Sequence, residues 1–135
     1  MMYVFARSAR PCLSFRNTAS RLRDILDAIL MIGRFTEGMD FESFREDAKT
    51  VAAVERKLLL ISEAAIRLGD EGPMLCPDQA WPKIRGTGNW IRHQYERIDL
   101  ESIWATVQYD LPSLMVSVQR ALSVCETKLH DSTPS

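Results

Sequence analysis

His93 stands in the most densely polar and basic stretch of the chain, Lys83-Ile84-Arg85-Gly86-Thr87-Gly88-Asn89-Trp90-Ile91-Arg92-His93-Gln94-Tyr95-Glu96-Arg97. An imidazole titrates near neutrality and guanidinium groups bind phosphate oxygens, so a histidine among arginines suits phosphodiester cleavage. The imidazole can move the proton of a 2′-hydroxyl, while an arginine stabilises charge building on a phosphorane-like transition state. On a helix, Asn89 lies one turn before His93 on the same face. Arg85 is eight residues before His93, roughly 80° round the axis and about 12 Å along it. Arg92 and Tyr95 flank the imidazole on neighbouring faces. No aspartates with metal-ligand spacing accompany these groups, so cleavage here is expected to need no metal and no cofactor and to be confined to RNA. A solvated charged helix face, whose histidine hydrogen-bonds locally, would contain the same residues, and on spacing alone both readings stand. The second histidine, His130, lies in a polar tail and reads as solvated surface.

The elements that position these groups read as helices. Leu22, Ile25, Leu26, Ile29, Ile32 and Phe35 recur at steps of three and four, one apolar stripe, with Ser20 as N-cap and Gly38 just past the end. Asp40 precedes a short segment with Phe41 and Phe44 on one side. A long helix from about Asp47 to Leu68 carries Val51, Val54, Leu58, Ile61, Ala65 and Leu68 in step, and Gly69 follows as a C′ residue. Gly69, Gly72, Pro73 and Pro77 mark the clearest loop. Asp78 is the next N-cap candidate, before the helix that carries His93. Gly86 and Gly88 weaken that helix, by roughly 1 kcal/mol each relative to alanine, which implies close approach of a backbone or ligand. Asp99 starts the last helix, where Leu100, Ile103, Trp104, Val107, Leu111, Leu114 and Val118 keep the period and Pro112 should kink it. Trp81, Trp90 and Trp104 read as packing or interface residues rather than stacking platforms for bases. No window alternates as a strand would. The fold class is therefore all-α, an antiparallel up-and-down bundle of four or five helices.

Composition agrees with one globular domain. The 135 residues are 46% hydrophobic and 26% charged with a net charge of −1, which excludes a disordered chain and an indiscriminately basic nucleic-acid binder. No apolar run is long enough to span a bilayer, so no membrane association is expected. Residues 1–19 hold Arg7, Arg10 and Arg16 without an acid and are expected to be a basic extension outside the fold. The helical domain is placed at 20–124 and a polar tail at 125–135. Cys12, Cys76 and Cys125 are odd in number and far apart, fitting neither a zinc site nor a disulfide framework, and point to reduced thiols in a cytoplasmic protein.

Three blocks, Leu22-Arg23-Asp24-Ile25-Leu26-Asp27-Ala28-Ile29, Ile61-Ser62-Glu63-Ala64-Ala65 and Trp81 through Tyr95, resemble the HepT-like family of the HEPN superfamily over about residues 20–122. The resemblance implies a homodimeric RNase toxin of a type VII toxin–antitoxin pair, with paired active sites in a cleft between subunits. Its implied partner is a minimal nucleotidyltransferase antitoxin. His93 matches the family's catalytic histidine and Asn89 the polar residue after its arginine. Tyr95 matches the tyrosine to which the antitoxin transfers AMP, and Glu63 a glutamate that is structural or supports the site from a neighbouring helix. The family motif is an arginine, four to six residues of any type and then the histidine, usually with asparagine just after the arginine; Gly88, Thr87 and Gly86 fill the permitted positions here. No arginine satisfies the motif; Arg85 and Arg92 are the candidates to replace it. The alternative is a catalytically degenerate HEPN dimer that still binds a nucleotidyltransferase.

Overall fold

The structure, a computed structural model, describes residues 11–93 and 99–131, with side chains over 16–93 and 99–128. Its elements are α1 (Pro11–Phe35), α2 (Phe41–Glu46), α3 (Ala48–Leu68), α4 (Glu71–Leu75), α5 (Trp81–His93), α6 (Leu100–Ala105), a π turn (Thr106–Asp110) and α7 (Leu111–Asp131). No strand occurs among the described residues, and the all-α expectation holds.

The long helices run antiparallel, as their cross-contacts show. Arg23 at the middle of α1 pairs with Glu126 near the end of α7, and Thr18 in the first half of α1 donates to Glu71 just past α3. Glu63 and Gly69 of the α3 arm meet Arg92 and Arg85 of α5 in reversed order, while Lys83 and Gln79 meet Asp110 and Ser113. Each apolar stripe seen in the sequence faces this core: Leu22, Ile25 and Ile32 from α1, Val54, Leu58 and Ile61 from α3, and Ile103, Leu114 and Val118 from the last helical arm are all buried. Trp81 is buried too, its indole nitrogen donating to the Cys76 carbonyl at 2.8 Å, and Trp104 leans on Phe44 with ring centroids 5.0 Å apart. Trp90 is half-buried against the same core. All three tryptophans pack, as expected. No helix among the described residues is long and apolar enough to cross a membrane.

Several boundaries differ from the sequence reading. α1 begins at Pro11, so Ser20 is an exposed interior residue instead of a cap, and Thr18 and Ala19, placed in the extension, are buried. Proline at a helix's first position loses no intrahelical hydrogen bond, which lets the chain start there. Residues 1–10 lie outside the described residues. At the other end α7 continues to Asp131, and Cys125, assigned to the tail, is fully buried. The loop after Gly69 contains α4, one turn that tolerates Pro73 because it sits in the first helical turn. Asp78 does not cap α5. The Ala80 carbonyl takes the first helical bond, from Ile84, and the Asp78 carboxylate accepts from the Ser117 hydroxyl at 2.8 Å instead. The break expected at Pro112 takes the form of the π turn just before it. There the Leu111 N–H reaches back to Thr106, giving the proline ring room against the carbonyl four residues earlier.

Candidate active site

α5 owes its place to one close contact. Gly88 is buried against α3, and a Cβ there would lie 2.7 Å from Ser62 Oγ and 3.0 Å from Ser62 Cβ. The Ser62 hydroxyl lies between two backbone groups of α5, donating to the Arg85 carbonyl at 2.7 Å and accepting from the Gly88 N–H at 3.1 Å. The close approach implied by the two glycines is therefore helix on helix, and it belongs to Gly88. Around Gly86, which is exposed, nothing stands within 4 Å of such a Cβ.

The candidate residues fan out from this contact at about 100° per residue. Asn89 and His93 share the outward face of α5 with Gly86, and both are exposed. Arg92 projects toward α3, where one of its η nitrogens donates to Glu63 Oε1 at 3.0 Å; the two side chains are 50% and 39% exposed. Arg85 also turns toward α3, but two turns away. Its guanidinium donates to the Gly69 carbonyl at 2.5 Å, at the C-terminal end of that helix, where a cation complements the macrodipole. Its Nε is buried with no partner. Among the described residues of α5, Arg92 is next to His93 in sequence but turned to Glu63, and Arg85 is engaged at the Gly69 carbonyl. Tyr95 lies outside the described residues, as does the side chain of His130.

Three cavities border the neighbouring surfaces, the second reaching Gly86 and the third, between α1 and α3, reaching Glu63. One of about 350 Å³, between α5 and the π turn, is lined by Lys83, Ile84 and Thr87 together with Tyr109 and Leu114. Lys83 and Thr87 also border a second, with Trp90 and Ser102. Neither is lined by His93, Asn89 or Arg92. Among the described residues, His93 and Asn89 are exposed together on one helix face and neither lines a cavity. Among the described residues no group of three or more His, Cys, Asp or Glu side chains could hold a metal ion.

Sequence reasoning did not find the parts played by Ser62 and Gly69. Ser62 had a signal, a small polar residue in the apolar run between Leu58 and Leu68. Gly69 acts through its carbonyl, which every residue has, so no residue type announced it.

The family described as Ribonuclease HepT-like matches residues 25–121 of the chain. A Thermococcus cleftensis protein named "Probable ribonuclease HepT" is 35% identical over 99 residues, 73% of this chain and 90% of its own length. Two candidate RNases of Methanocaldococcus jannaschii are 26% identical over 117 residues and 27% identical over 113, covering 87% and 84% of this chain and 97% of each relative. No solved structure gives a significant match.

Proposed function

The chain belongs to the ribonuclease HepT-like family, and from that premise we propose that it cleaves RNA by metal-independent acid–base chemistry at His93. In this reading the imidazole takes the proton of the 2′-hydroxyl, whose oxygen attacks the adjacent phosphorus as the bond to the 5′-oxygen breaks. The guanidinium of Arg92 binds the non-bridging oxygens as charge grows on them, and Asn89, one turn away, donates from its amide to the same phosphate. The observation that carries the reading is the exposed His93–Asn89 pair, with Arg92 next to His93 in sequence. A single imidazole serves one proton transfer, and the leaving oxygen needs a second donor. A homodimer that brings two copies of α5 face to face supplies it, and exposed Gly86 allows the close approach.

A nucleotidyltransferase antitoxin is the partner in this reading. It would transfer AMP from a nucleoside triphosphate to the Tyr95 hydroxyl, with pyrophosphate leaving. The added phosphate charge, two residues from His93, would repel an RNA backbone. One observation favours a second reading, a catalytically degenerate dimer that keeps only the partner: Gly88 stands where the family motif has its arginine, and Ser62 fills the space.

Purified protein incubated with RNA and excess EDTA separates the two. Cleavage that His93→Ala slows by at least about 100-fold, with unchanged thermal stability, is the expected result for an exposed acid–base residue. Full-rate cleavage by that variant removes His93 from the mechanism, and an inert wild-type dimer selects the degenerate reading.

A further inference from the structure

We propose that the groove between α1 and α3 binds a phosphate monoester carried on a hydroxylated body, a sugar phosphate or a nucleotide. The groove holds a cavity of about 330 Å³, within the range of small-ligand sites. Its lining follows from the antiparallel register of the two helices. Arg21 of α1 and Arg67 of α3 stand on opposite walls at one end. Asp24 and Asp27 follow, about one and two turns along α1. Farther on, Ala28, Leu60 and Met31 make an apolar stretch. Ala28 and Ala64 are buried, and their single methyl groups leave the room that larger side chains would fill.

Two facts point to an anion between the arginines. Like charges on facing walls repel, and neither guanidinium is neutralised. The ion pairs of the described residues join Arg23 to Glu126, Arg45 to Glu42, Lys83 to Asp110 and Arg92 to Glu63; Arg21 and Arg67 are in none. Glu63 borders the same groove four residues before Arg67, but Arg92 holds it instead. The second fact is that Nε of Arg21 is buried without a hydrogen-bond partner. The bond from its η nitrogen to the Asn17 carbonyl is long, at 3.4 Å. A buried N–H left open is unfavourable until an acceptor meets it, and a phosphate oxygen is the acceptor that the guanidinium fork fits best. Arg85 has a buried open Nε as well, but it lines none of the three cavities.

The carboxylates decide what carries the phosphate. Asp24 and Asp27 are exposed and also belong to no ion pair among the described residues. Their charge repels a bare anion, yet an ionised carboxylate accepts strongly from hydroxyl groups. A ligand that joins hydroxyls to its phosphate therefore satisfies both ends, which inorganic phosphate does not. Asp24 lies about 5 Å along the axis from Arg21, a step that a pentose ring can bridge. The apolar stretch beyond it suits a base.

Titration calorimetry of the full chain at about 0.15 M salt tests the site, without RNA and independently of any cleavage. Ribose 5-phosphate should bind at least about tenfold tighter than either inorganic phosphate or ribose. Arg21→Gln and Arg67→Gln should each weaken it about tenfold or more. Arg67 is exposed, so its variant keeps the fold whatever becomes of Arg21→Gln. Asp24→Asn should tighten inorganic phosphate and weaken ribose 5-phosphate, by about threefold each, a crossing that a change in folding cannot produce. Arg23→Gln, on the same helix but outside the groove, should leave every affinity unchanged. Adenosine 5′-monophosphate binding tighter than ribose 5-phosphate identifies a nucleotide site, and equal binding a sugar-phosphate site. No heat with any of these ligands overturns the proposal, as does inorganic phosphate held as tightly as ribose 5-phosphate. Affinity that survives both arginine variants overturns it too.

Discussion

At residue 88 the absence of a side chain has a measurable consequence. Gly88→Ala gains helix propensity but drives a methyl group into Ser62, which two hydrogen bonds hold in place. The collision outweighs the propensity, so a loss of about 1–2 kcal/mol is expected in urea unfolding. Ser62→Ala alone should cost about 1 kcal/mol, for the lost hydroxyl bonds. Because that change removes the nearest obstacle, the double variant should lose less than the two single losses added together. Full additivity would show that the two side chains do not meet. At this scale the sequence was partly legible. A glycine pair inside a helix signalled close approach, but not which glycine made it. The fate of Arg85 was hidden because its acceptor is a backbone oxygen 16 residues away in sequence.

Among the elements, apolar periodicity exposed α1, α3 and the last helical arm because each buries one stripe. The same period could have carried α1 further back: Cys12, Phe15 and Ala19 continue the steps of three and four toward Leu22, beneath a charge pattern that suggested an arm. α4 escaped because Gly72 and Pro73 are also loop residues, and the Gly72 backbone is pressed under the Trp81 ring, 3.1 Å from where a Cβ would be. The short connections are held by aspartates. Asp40, Asp47 and Asp99 each accept from the backbone N–H three residues on, and these bonds, with the Ser43, Thr50 and Ser102 hydroxyls, hold their carboxyls below the ordinary 3.8. The unfolded chain therefore binds more protons in acid, and stability supplied by the caps above pH 4 is lost as pH falls through their depressed values. Urea midpoints measured from pH 7 to pH 3 should drop on the acid side, and Asp47→Asn, which caps without titrating, should flatten part of the drop. An identical pH profile in that variant would remove Asp47 as a source.

For the whole molecule, the three sequence blocks already pointed to the family that the comparisons found, while the folded chain adds that its candidate site is open on one side. Gly86 offers a clean probe of what closes it. A Cβ there meets nothing within 4 Å, so a side chain can be added without a clash at its root, and a weaker dimer in Gly86→Lys with unchanged helical content and Tm points to a contact with another copy. Sedimentation should find a dimer of the wild-type chain, and Gly86→Lys should raise its dissociation constant at least about tenfold, the result of losing some 1.4 kcal/mol of contact. A dimer that ignores the lysine does not use this face. The π turn at Thr106–Asp110 has another consequence, for the way such a chain can change over generations. A π turn carries one residue more than regular helix requires, so a single codon could be dropped there while the flanking helices keep their mutual register. Pro112 opposes that loss, because its ring would then meet the carbonyl the wide turn now keeps clear of it. Shortening the gene at this point and replacing the proline are therefore coupled events, and descendants should show both changes or neither.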